Sequence, residues 1–323
     1  TVRRQTQLIG RREEKDILVG ALLELQRGSP LQTVVLHGEA GIGKSQLTEE
    51  LIRQAQVSAI AVLAGEADAI EKSNPYYAWK PVFNKVFGIE EILRKPQLSD
   101  EDRTSIREIV LEKLGQIDPN LLRYAPLLTV LLPVSIPENE FTSSLTGETR
   151  GGNIRELLVK ILQFEARRVR VLVVIEDIHW LDSASWTLLL DVYQQVRPLM
   201  LLVTTRPFER VPPQEFKQIA DRSDTHFVKL EAMPLDDVEA LVCQRLGVHS
   251  MPAAVGRLIR EKSEGNPFFA EELAYALRDS GVLVIEGEKA HPASGSDALD
   301  GITLPDTLQA AITSRIDGLN PSQ

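Results

Sequence analysis

The chain reads Gly38-Glu39-Ala40-Gly41-Ile42-Gly43-Lys44-Ser45 between an apolar segment and an amphipathic one. This stretch matches the pattern G-x-x-x-x-G-K-[ST]. Glycines in such a loop let successive backbone N–H groups point inward, where they bind phosphate oxygens. The lysine reaches the β- and γ-phosphates, and the serine hydroxyl ligates Mg²⁺. The sequence therefore predicts a site for a nucleoside triphosphate at this loop.

The segments on both sides of the loop supply the context that the pattern requires. Residues 33–37 predict a buried strand, and Leu47, Leu51 and Ala55 repeat at helical spacing. A helix that begins near Lys44 would add its positive N-terminal end to the anion site. The predicted nucleotide contacts in this region are Gly38, Glu39, Ala40, Gly41, Ile42, Gly43, Lys44, Ser45 and Gln46.

A second apolar run, residues 171–175, ends in the carboxylates Glu176 and Asp177. Ligands of open parallel sheets bind outside the carboxyl ends of the strands. One carboxylate can hold magnesium, and the other can orient the attacking water. We favour Glu176 for the metal and Asp177 as the base, but side chains alternate along a strand, which leaves the assignment open. The candidate metal ligands are Ser45, Glu176 and Asp177, and Lys44 joins the two carboxylates among the candidate catalytic residues.

A third apolar run, residues 199–203, ends in Thr204, Thr205 and Arg206. On a neighbouring strand, these side chains would face the γ-phosphate. Arg206 is therefore a candidate catalytic residue that senses this phosphate and offsets developing charge. The alternative is an arginine in a solvated loop. We interpret His179 and Trp180, which follow the acidic pair, as structural residues.

The remaining pattern predicts an α/β fold with a parallel sheet sandwiched by helices. Further strands are expected at 59–63 and 226–230, and a helix over 183–197 should be capped by Asp182 or Ser183. Residues 73–168 predict a helical insert with a polar surface loop at 136–152. We predict a nucleotide-binding domain over 1–232, a helical lid over 233–281 and the start of another unit over 282–323.

Within the predicted lid, Asp236 should cap a helix that runs to Arg245. Two further helices are predicted over 253–263 and 267–279, on either side of a turn, and a strand over 282–285. The helical subdomain thus contrasts with the α/β part that precedes it.

Composition narrows the function classes. The chain has 323 residues, 43% of them hydrophobic, which is typical of a soluble globular protein. Its net charge of −10 argues against a main nucleic-acid contact surface. Cys243 is the one cysteine, so no internal disulfide forms, and a reducing, cytoplasmic compartment is expected. The apolar runs are too short to span a membrane, no signal peptide is recognisable, and we interpret the chain as a fragment cut from a longer protein.

Taken together, six motifs resemble the STAND-class signalling ATPases within the AAA+-like P-loop group. The most similar modules follow class III adenylate cyclase domains, and others occur in large LuxR-type regulators and some serine/threonine kinases. The motifs are LIGR at 8–11, GEAGIGKS at 38–45, VVIEDIHWLD at 173–182, LLVTTRP at 201–207, GNPFFAEEL at 265–273 and LPDTLQAAITSRIDGL at 304–319.

The resemblance implies a nucleotide-binding domain, a helical domain, a winged-helix domain that begins within 282–323, and often TPR-like repeats beyond. It implies that Gly10 and Arg11 lie near the adenine, with Ile9 among the nucleotide contacts. It also implies that Arg206 acts as sensor 1 and that Pro267 packs against the base. The choice of ATP/ADP with Mg²⁺ over guanine nucleotides rests on this resemblance. The Glu-Asp pair departs from the Asp-Asp of many STAND proteins, and no arginine finger is assignable.

The leading hypothesis is an ATP-dependent switch with slow hydrolysis that regulates an attached effector domain, either an adenylate cyclase or a DNA-binding transcription regulator. We expect C-terminal TPR-like repeats as a further partner and nucleotide-dependent self-association of the chain. We expect neither membrane binding nor direct nucleic-acid contact.

The first alternative is a DNA-handling AAA+ ATPase of the origin-binding type, which needs a basic surface and a lid arginine such as Arg257, Arg260 or Arg278. Further alternatives are a nucleotide-binding scaffold without hydrolysis and, more weakly, a small-molecule kinase.

Overall fold

A five-stranded parallel sheet forms the centre of the fold in this computed structural model, which describes residues 8–293. The strand order is β2-β3-β4-β1-β5. The bounds are β1 Leu31–His37, β2 Ala61–Glu66, β3 Val171–Glu176, β4 Leu199–Thr205 and β5 Thr225–Lys229. The predicted α/β fold is confirmed.

The two central strands explain why the sheet forms. All of β4 is buried, as are the five apolar residues of β3. Strands buried on both faces need apolar side chains at every position, which is what these runs supply. Val203 pairs with both Val35 of β1 and Ile175 of β3 in parallel register. The carboxyl ends of β1, β3 and β4 therefore lie at the same edge of the sheet.

One helix comes before β1 in the chain, and others connect each strand to the next. The helices α3 to α7, between β2 and β3, form the predicted helical insert. In chain order they are α1 Arg12–Gln26, α2 Lys44–Val57, α3 Lys80–Phe87, α4 Glu90–Leu93, α5 Asp100–Ile117, α6 Glu140–Ser144, α7 Gly147–Arg168, α8 Ser183–Gln195 and α9 Gln214–Ala220. Short 3-10 segments lie at Ile70–Ser73, Tyr77–Trp79, Pro119–Val130 and Ile178–Trp180.

The surface loop predicted at 136–152 is wrong, because α6 and the first turns of α7 occupy most of it. The cause is helix capping. Asn139 accepts a hydrogen bond from the Thr142 N–H at 2.9 Å, and the Thr142 hydroxyl accepts one from the Asn139 N–H at 3.1 Å. Such reciprocal bonds satisfy the first N–H groups of a helix, so polar and small residues here start helices.

The chain divides into two compact units. The sheet unit comprises Asp16–His37 and Leu51–Val228. The loop unit comprises the described parts of Thr1–Lys15, Gly38–Glu50 and Lys229–Gln323, and it therefore includes the glycine-rich loop.

Three helices and a hairpin complete the loop unit: α10 Leu235–Leu246, α11 Ala253–Ser263, α12 Pro267–Asp279, β6 Leu283–Glu286 and β7 Lys289–Pro292. Their apolar faces share one core, in which Val238, Val255 and Leu277 are fully buried. The prediction of Asp236 as helix cap is wrong, since Pro234 is the N-cap residue and Asp236 lies in the first turn. Proline already fixes an extended entry into the helix. The motif at 304–319 lies outside the described residues.

No helix in the stretch from residue 8 to residue 293 combines the length and the apolar character needed to cross a bilayer.

Candidate functional site

The glycine-rich loop from Gly38 to Ser45, hereafter the phosphate loop, leads directly into α2. Gly41 and Gly43 have φ angles of +72° and +104°, which residues other than glycine rarely adopt. A Cβ atom on Gly43 would meet nothing within 4 Å, so open space lies beside the loop there. The first N–H groups of α2 have no acceptor within their own helix. These features suit an anion.

Main-chain oxygens of the phosphate loop are each bonded to a donor. Lys44 is buried, with 7% of its surface exposed. Its Nζ atom donates to the main-chain oxygens of Gly38 at 2.8 Å and Glu39 at 2.9 Å. Carbonyl oxygens facing a phosphate would repel it. Hydrogen bonds from protein donors hold these oxygens, so they do not have to face a bound anion.

The start of α12 supplies two more of these donors. Asn266 Nδ2 donates to the Ala40 oxygen at 2.9 Å, and the Phe268 N–H donates to the Gly41 oxygen at 3.3 Å. A Cβ atom on Gly41 would lie 2.7 Å from the Phe268 Cβ atom. The loop and α12 thus approach each other as closely as glycine allows.

Asn266 has a second role at the same place. Its Oδ1 atom accepts from the Phe268 N–H at 3.1 Å and caps α12, in which Pro267 is the buried first residue. The resemblance assigns a nucleotide contact to Pro267 and no role to Asn266. Asparagine before a helix-opening proline indicates a cap, but the residue that receives its amide N–H is remote in sequence.

The segment before α1 supplies the donor for the fifth oxygen. Arg11 Nη2 donates to the Ile42 oxygen at 3.1 Å and to the Glu231 oxygen at 2.6 Å. The preceding Gly10 has a φ angle of +66°, and a Cβ atom there would lie 2.6 Å from Asp237 Oδ2. The structure therefore brings Gly10, Arg11 and the phosphate loop together within the loop unit. Their role as nucleotide contacts, which the resemblance implies, stays a prediction.

In the sheet unit, the predicted acidic pair lies where β3 ends. Glu176 is the last residue of β3, in register with Glu66 of β2. Asp177 has a left-handed backbone with a φ angle of +52°, and its N–H donates to the Thr204 hydroxyl at 3.0 Å. In a continued strand, Glu176 and Asp177 would point to opposite faces of the sheet. The left-handed residue ends the strand, so this rule does not apply to Asp177.

The end of β4 is joined to the same turn through a histidine. The Arg206 N–H donates to His179 Nδ1 at 3.4 Å, and that nitrogen lies 3.8 Å from an Asp177 carboxylate oxygen. The His179 side chain is 9% exposed. Asp177, Thr204 and Arg206, which the sequence assigns to one edge, are thus brought together. Through these contacts His179 connects the two strand ends, and its interpretation as a structural residue stays a prediction.

Glu66 is a neighbour that the sequence prediction missed. Partial burial raises the pKa of its carboxyl group, and the charges of Asp177 and Asp68 raise this pKa further. The register of β2 against β3 places it there. That register could not be read from the sequence, where Glu66 is one carboxylate among many.

Asp182 is confirmed as the N-cap of α8, accepting from the Ser185 N–H at 2.9 Å. Its other oxygen accepts from the N–H of Tyr76 at 3.1 Å. Tyr76 is buried and has a φ angle of +60°. The carboxylate therefore also fixes the strained turn at the start of the helical insert.

Family comparisons match most of the described chain. A family model described as an AAA ATPase domain matches residues 7–203. A second model, a domain of unknown function, matches residues 235–291, the stretch from α10 to β7.

Curated relatives include adenylate cyclase type 10 of two mammals. The protein from Oryctolagus cuniculus is 23% identical over 279 residues, which are 86% of this chain and 17% of the relative. The protein from Homo sapiens is 22% identical over 279 residues, with the same coverage of 86% and 17%. The chain thus spans a small part of the length of these relatives.

Among solved structures, the ORC1 protein of Aeropyrum pernix in complex with DNA is similar with a TM-score of 0.50 and 13% identity. The match covers 96% of this chain and 66% of that one. At this identity the likeness concerns the fold alone.

Proposed function

Because the chain belongs to the AAA ATPase domain family, we propose that it is an ATP-dependent switch in which the phosphate loop controls the helices of the loop unit. One observation supports this most: the start of α12 is hydrogen-bonded to the Ala40 and Gly41 oxygens of the loop. A loop that moves when a phosphate binds must move α12 or break these bonds. A ligand shifts such an equilibrium by its differential affinity for the two arrangements.

ATP with Mg²⁺ is the proposed ligand. The fit rests on the loop, whose carbonyls face protein donors and whose glycines leave open space at Gly43. Lys44 and Ser45 would hold the phosphates and the metal, which neutralises phosphate charge when bound. Ile9, Gly10, Arg11 and Pro267 are the proposed contacts to the base, as the resemblance implies.

Hydrolysis is proposed to use the carboxyl edge of the sheet. Asp177 is the proposed base, Glu176 the proposed metal-facing carboxylate and Arg206 the proposed sensor. The hydrogen bonds that fix Asp177 to Thr204 and Arg206 to His179 support these roles, since a base and a sensor need fixed positions. Phosphate release should fall in Glu176→Gln and Asp177→Asn, whereas ADP binding should be kept.

A larger context is proposed from the relatives. Their similarity extends over only 17% of adenylate cyclase type 10, so we propose a STAND-class module of a longer cytoplasmic signalling protein. In it, residues 1–232 would form the nucleotide domain, 233–281 the lid and 282–323 the start of a winged-helix unit. A cyclase or transcription-regulating domain, with TPR-like repeats, would receive the signal.

The switch is tested by hydrogen exchange of α12 amides in the nucleotide-free chain, with ADP, and with a non-hydrolysable ATP analogue. Exchange should differ among the three states. Identical exchange and identical proteolysis patterns in ADP and in the analogue would contradict the switch.

Asn266→Asp isolates the link to the loop. Aspartate keeps the cap of α12 but cannot donate to the Ala40 oxygen, so nucleotide-dependent exchange in α12 should shrink while the helix stays formed. Asn139→Asp is the matched control. Asn139 also caps a helix and donates from Nδ2 to a main-chain oxygen, that of Arg123, at 2.8 Å, but in the sheet unit. The control should leave the nucleotide response unchanged.

A further inference from the structure

Arg11 occupies an unusual place between the phosphate loop and the chain that leads to α10. It is 9% exposed and has a left-handed backbone with a φ angle of +55°. Its carbonyl accepts from the Lys15 N–H at 2.9 Å, as a residue just before a helix does. A left-handed arginine is uncommon, and residues held so are found where the surroundings determine the conformation.

The surroundings of the guanidinium are three acceptors from three parts of the loop unit. Besides the oxygens of Ile42 and Glu231, the carboxylate of Glu14 accepts from Nη1 at 3.0 Å. The guanidinium is planar and presents its donors in a rigid fork. It therefore sets the spacing between the phosphate loop and Glu231, two residues before Met233.

Met233 connects this point to the turn before α12. Its N–H donates to the Gly265 oxygen at 2.8 Å, and a Cβ atom on Gly265 would lie 2.8 Å from the Met233 oxygen. The contacts form a closed circuit within the loop unit, from the phosphate loop to Arg11, to residues 231–233, to the turn at Gly265 and back to the loop through Asn266.

We propose that Arg11 is a positioning residue that fixes the main chain of the phosphate loop from the side opposite to the ligand. The proposal rests on the proposed nucleotide site. It assigns Arg11 to the recognition of phosphate, through the loop, in addition to the position near the adenine that the resemblance implies. The part of its contribution that acts through the loop is then common to every ligand that the loop binds, whether or not the ligand has a base.

The test measures the binding of ADP and of tripolyphosphate, each with Mg²⁺, by calorimetry. Arg11→Lys keeps the charge but loses the fork. Both ligands should bind about tenfold more weakly, because hydrogen bonds from a charged donor to the loop are lost. Arg12→Lys, the same change at the adjacent exposed arginine, should leave both affinities unchanged. A loss confined to ADP would assign Arg11 to the base alone and overturn the proposal.

A second variant covers the case in which Arg11→Lys does not fold. Glu14→Gln weakens the ion pair that orients the guanidinium and leaves the loop untouched. It should weaken the binding of both ligands by the same factor, which should be smaller than for Arg11→Lys. Amide exchange in residues 38–46 should be faster, and the unfolding midpoint should stay close to that of the parent. If the parent chain binds ADP and both variants bind it equally well, this inference is overturned and the proposed function stands. If the parent chain binds neither ADP nor tripolyphosphate, the proposed function is overturned together with this inference.

Discussion

The phosphate loop and the carboxyl edge of the sheet are held in place by different contacts. In the loop, five consecutive main-chain oxygens, from Gly38 to Ile42, accept hydrogen bonds from Lys44, Asn266, Phe268 and Arg11. At the edge, buried strands in parallel register place the residues, and short polar contacts fix only the turns that follow. The loop thus depends on a few donors that can be exchanged one by one, while the edge depends on packing that responds as a whole.

The largest effect is expected where packing is tightest in the sheet unit. A Cβ atom on Gly65 of β2 would overlap the main-chain oxygen of Ala78, so neither partner can give way cheaply. Gly65→Ala should lower the free energy of unfolding by about 3 kcal/mol or more, at the upper end of overpacking costs. Urea denaturation followed by far-UV circular dichroism measures it.

The control is Gly115→Ala in α5, where an added Cβ atom meets nothing within 4 Å. Alanine in the interior of a helix is favoured over glycine, so this variant should be slightly more stable than the parent. If Gly65→Ala unfolded at the same urea concentration as the parent, the close approach of the two main chains would be refuted. Packing would then not dominate the stability of this part of the molecule.

The same substitution in the loop should have a smaller and more local effect. Gly41 has a φ angle of +72°, and its added Cβ atom would press on Phe268 at 2.7 Å and on Asn266 Oδ1 at 3.0 Å. Gly41→Ala should cost about 1–2 kcal/mol from the backbone alone. It should also release α12 from the loop, which faster amide exchange at the start of α12 would report in the nucleotide-free chain.

Gly43→Ala separates collision from backbone strain. Its φ angle of +104° is at least as unfavourable for alanine as that of Gly41, but its Cβ atom meets nothing within 4 Å. Exchange in α12 should therefore stay at the parent level. If both variants released α12 equally, strain in the loop rather than contact with the helix would be the cause, and the link between loop and helix would be weaker than we describe.

This difference also explains what the sequence could predict. The order of strands and helices, the sheet, α2 and the bounds of α11 and α12 follow from periodicity and breakers, because those signals are local. The edge residues Asp177, Thr204 and Arg206 were also predicted together, since parallel strands end at one edge. The register that brings Glu66 beside Glu176 was not predicted, because it depends on which strands become neighbours.

The donors of the loop were beyond the reach of the pattern for the same physical reason. Asn266 is 226 positions from Ala40, and no local preference encodes which oxygen its amide reaches. Arg11 was identified as a nucleotide contact by resemblance, but its bonds to Ile42 and Glu231 appear only in the folded chain. The roles of Glu176 and Asp177 and the predicted domain boundaries stay predictions.

The smallest effect concerns charge at the carboxyl edge and depends on pH. Burial, Asp177 and Asp68 raise the pKa of Glu66 above its ordinary value. An acid with a raised folded-state pKa binds its proton more tightly when folded, so ionisation lowers stability as pH rises from the unfolded value of about 4.3 through the higher folded value. Glu66→Gln cannot ionise. The variant should match the parent near pH 4 and be slightly more stable near pH 7.5, as measured by urea denaturation at both values.

Salt provides the internal check on this last prediction. Glu66 is partly desolvated but, taken as a whole residue, exposed to solvent. Solvent therefore screens its repulsion with Asp177 and Asp68, and the difference near pH 7.5 should narrow as ionic strength rises. If packing sets the strand positions at this edge, removing one charge should leave circular dichroism unchanged. A variant that was less stable than the parent at pH 7.5 would show instead that the Glu66 carboxylate makes a favourable contact, and that polar bonds hold the edge as they hold the loop.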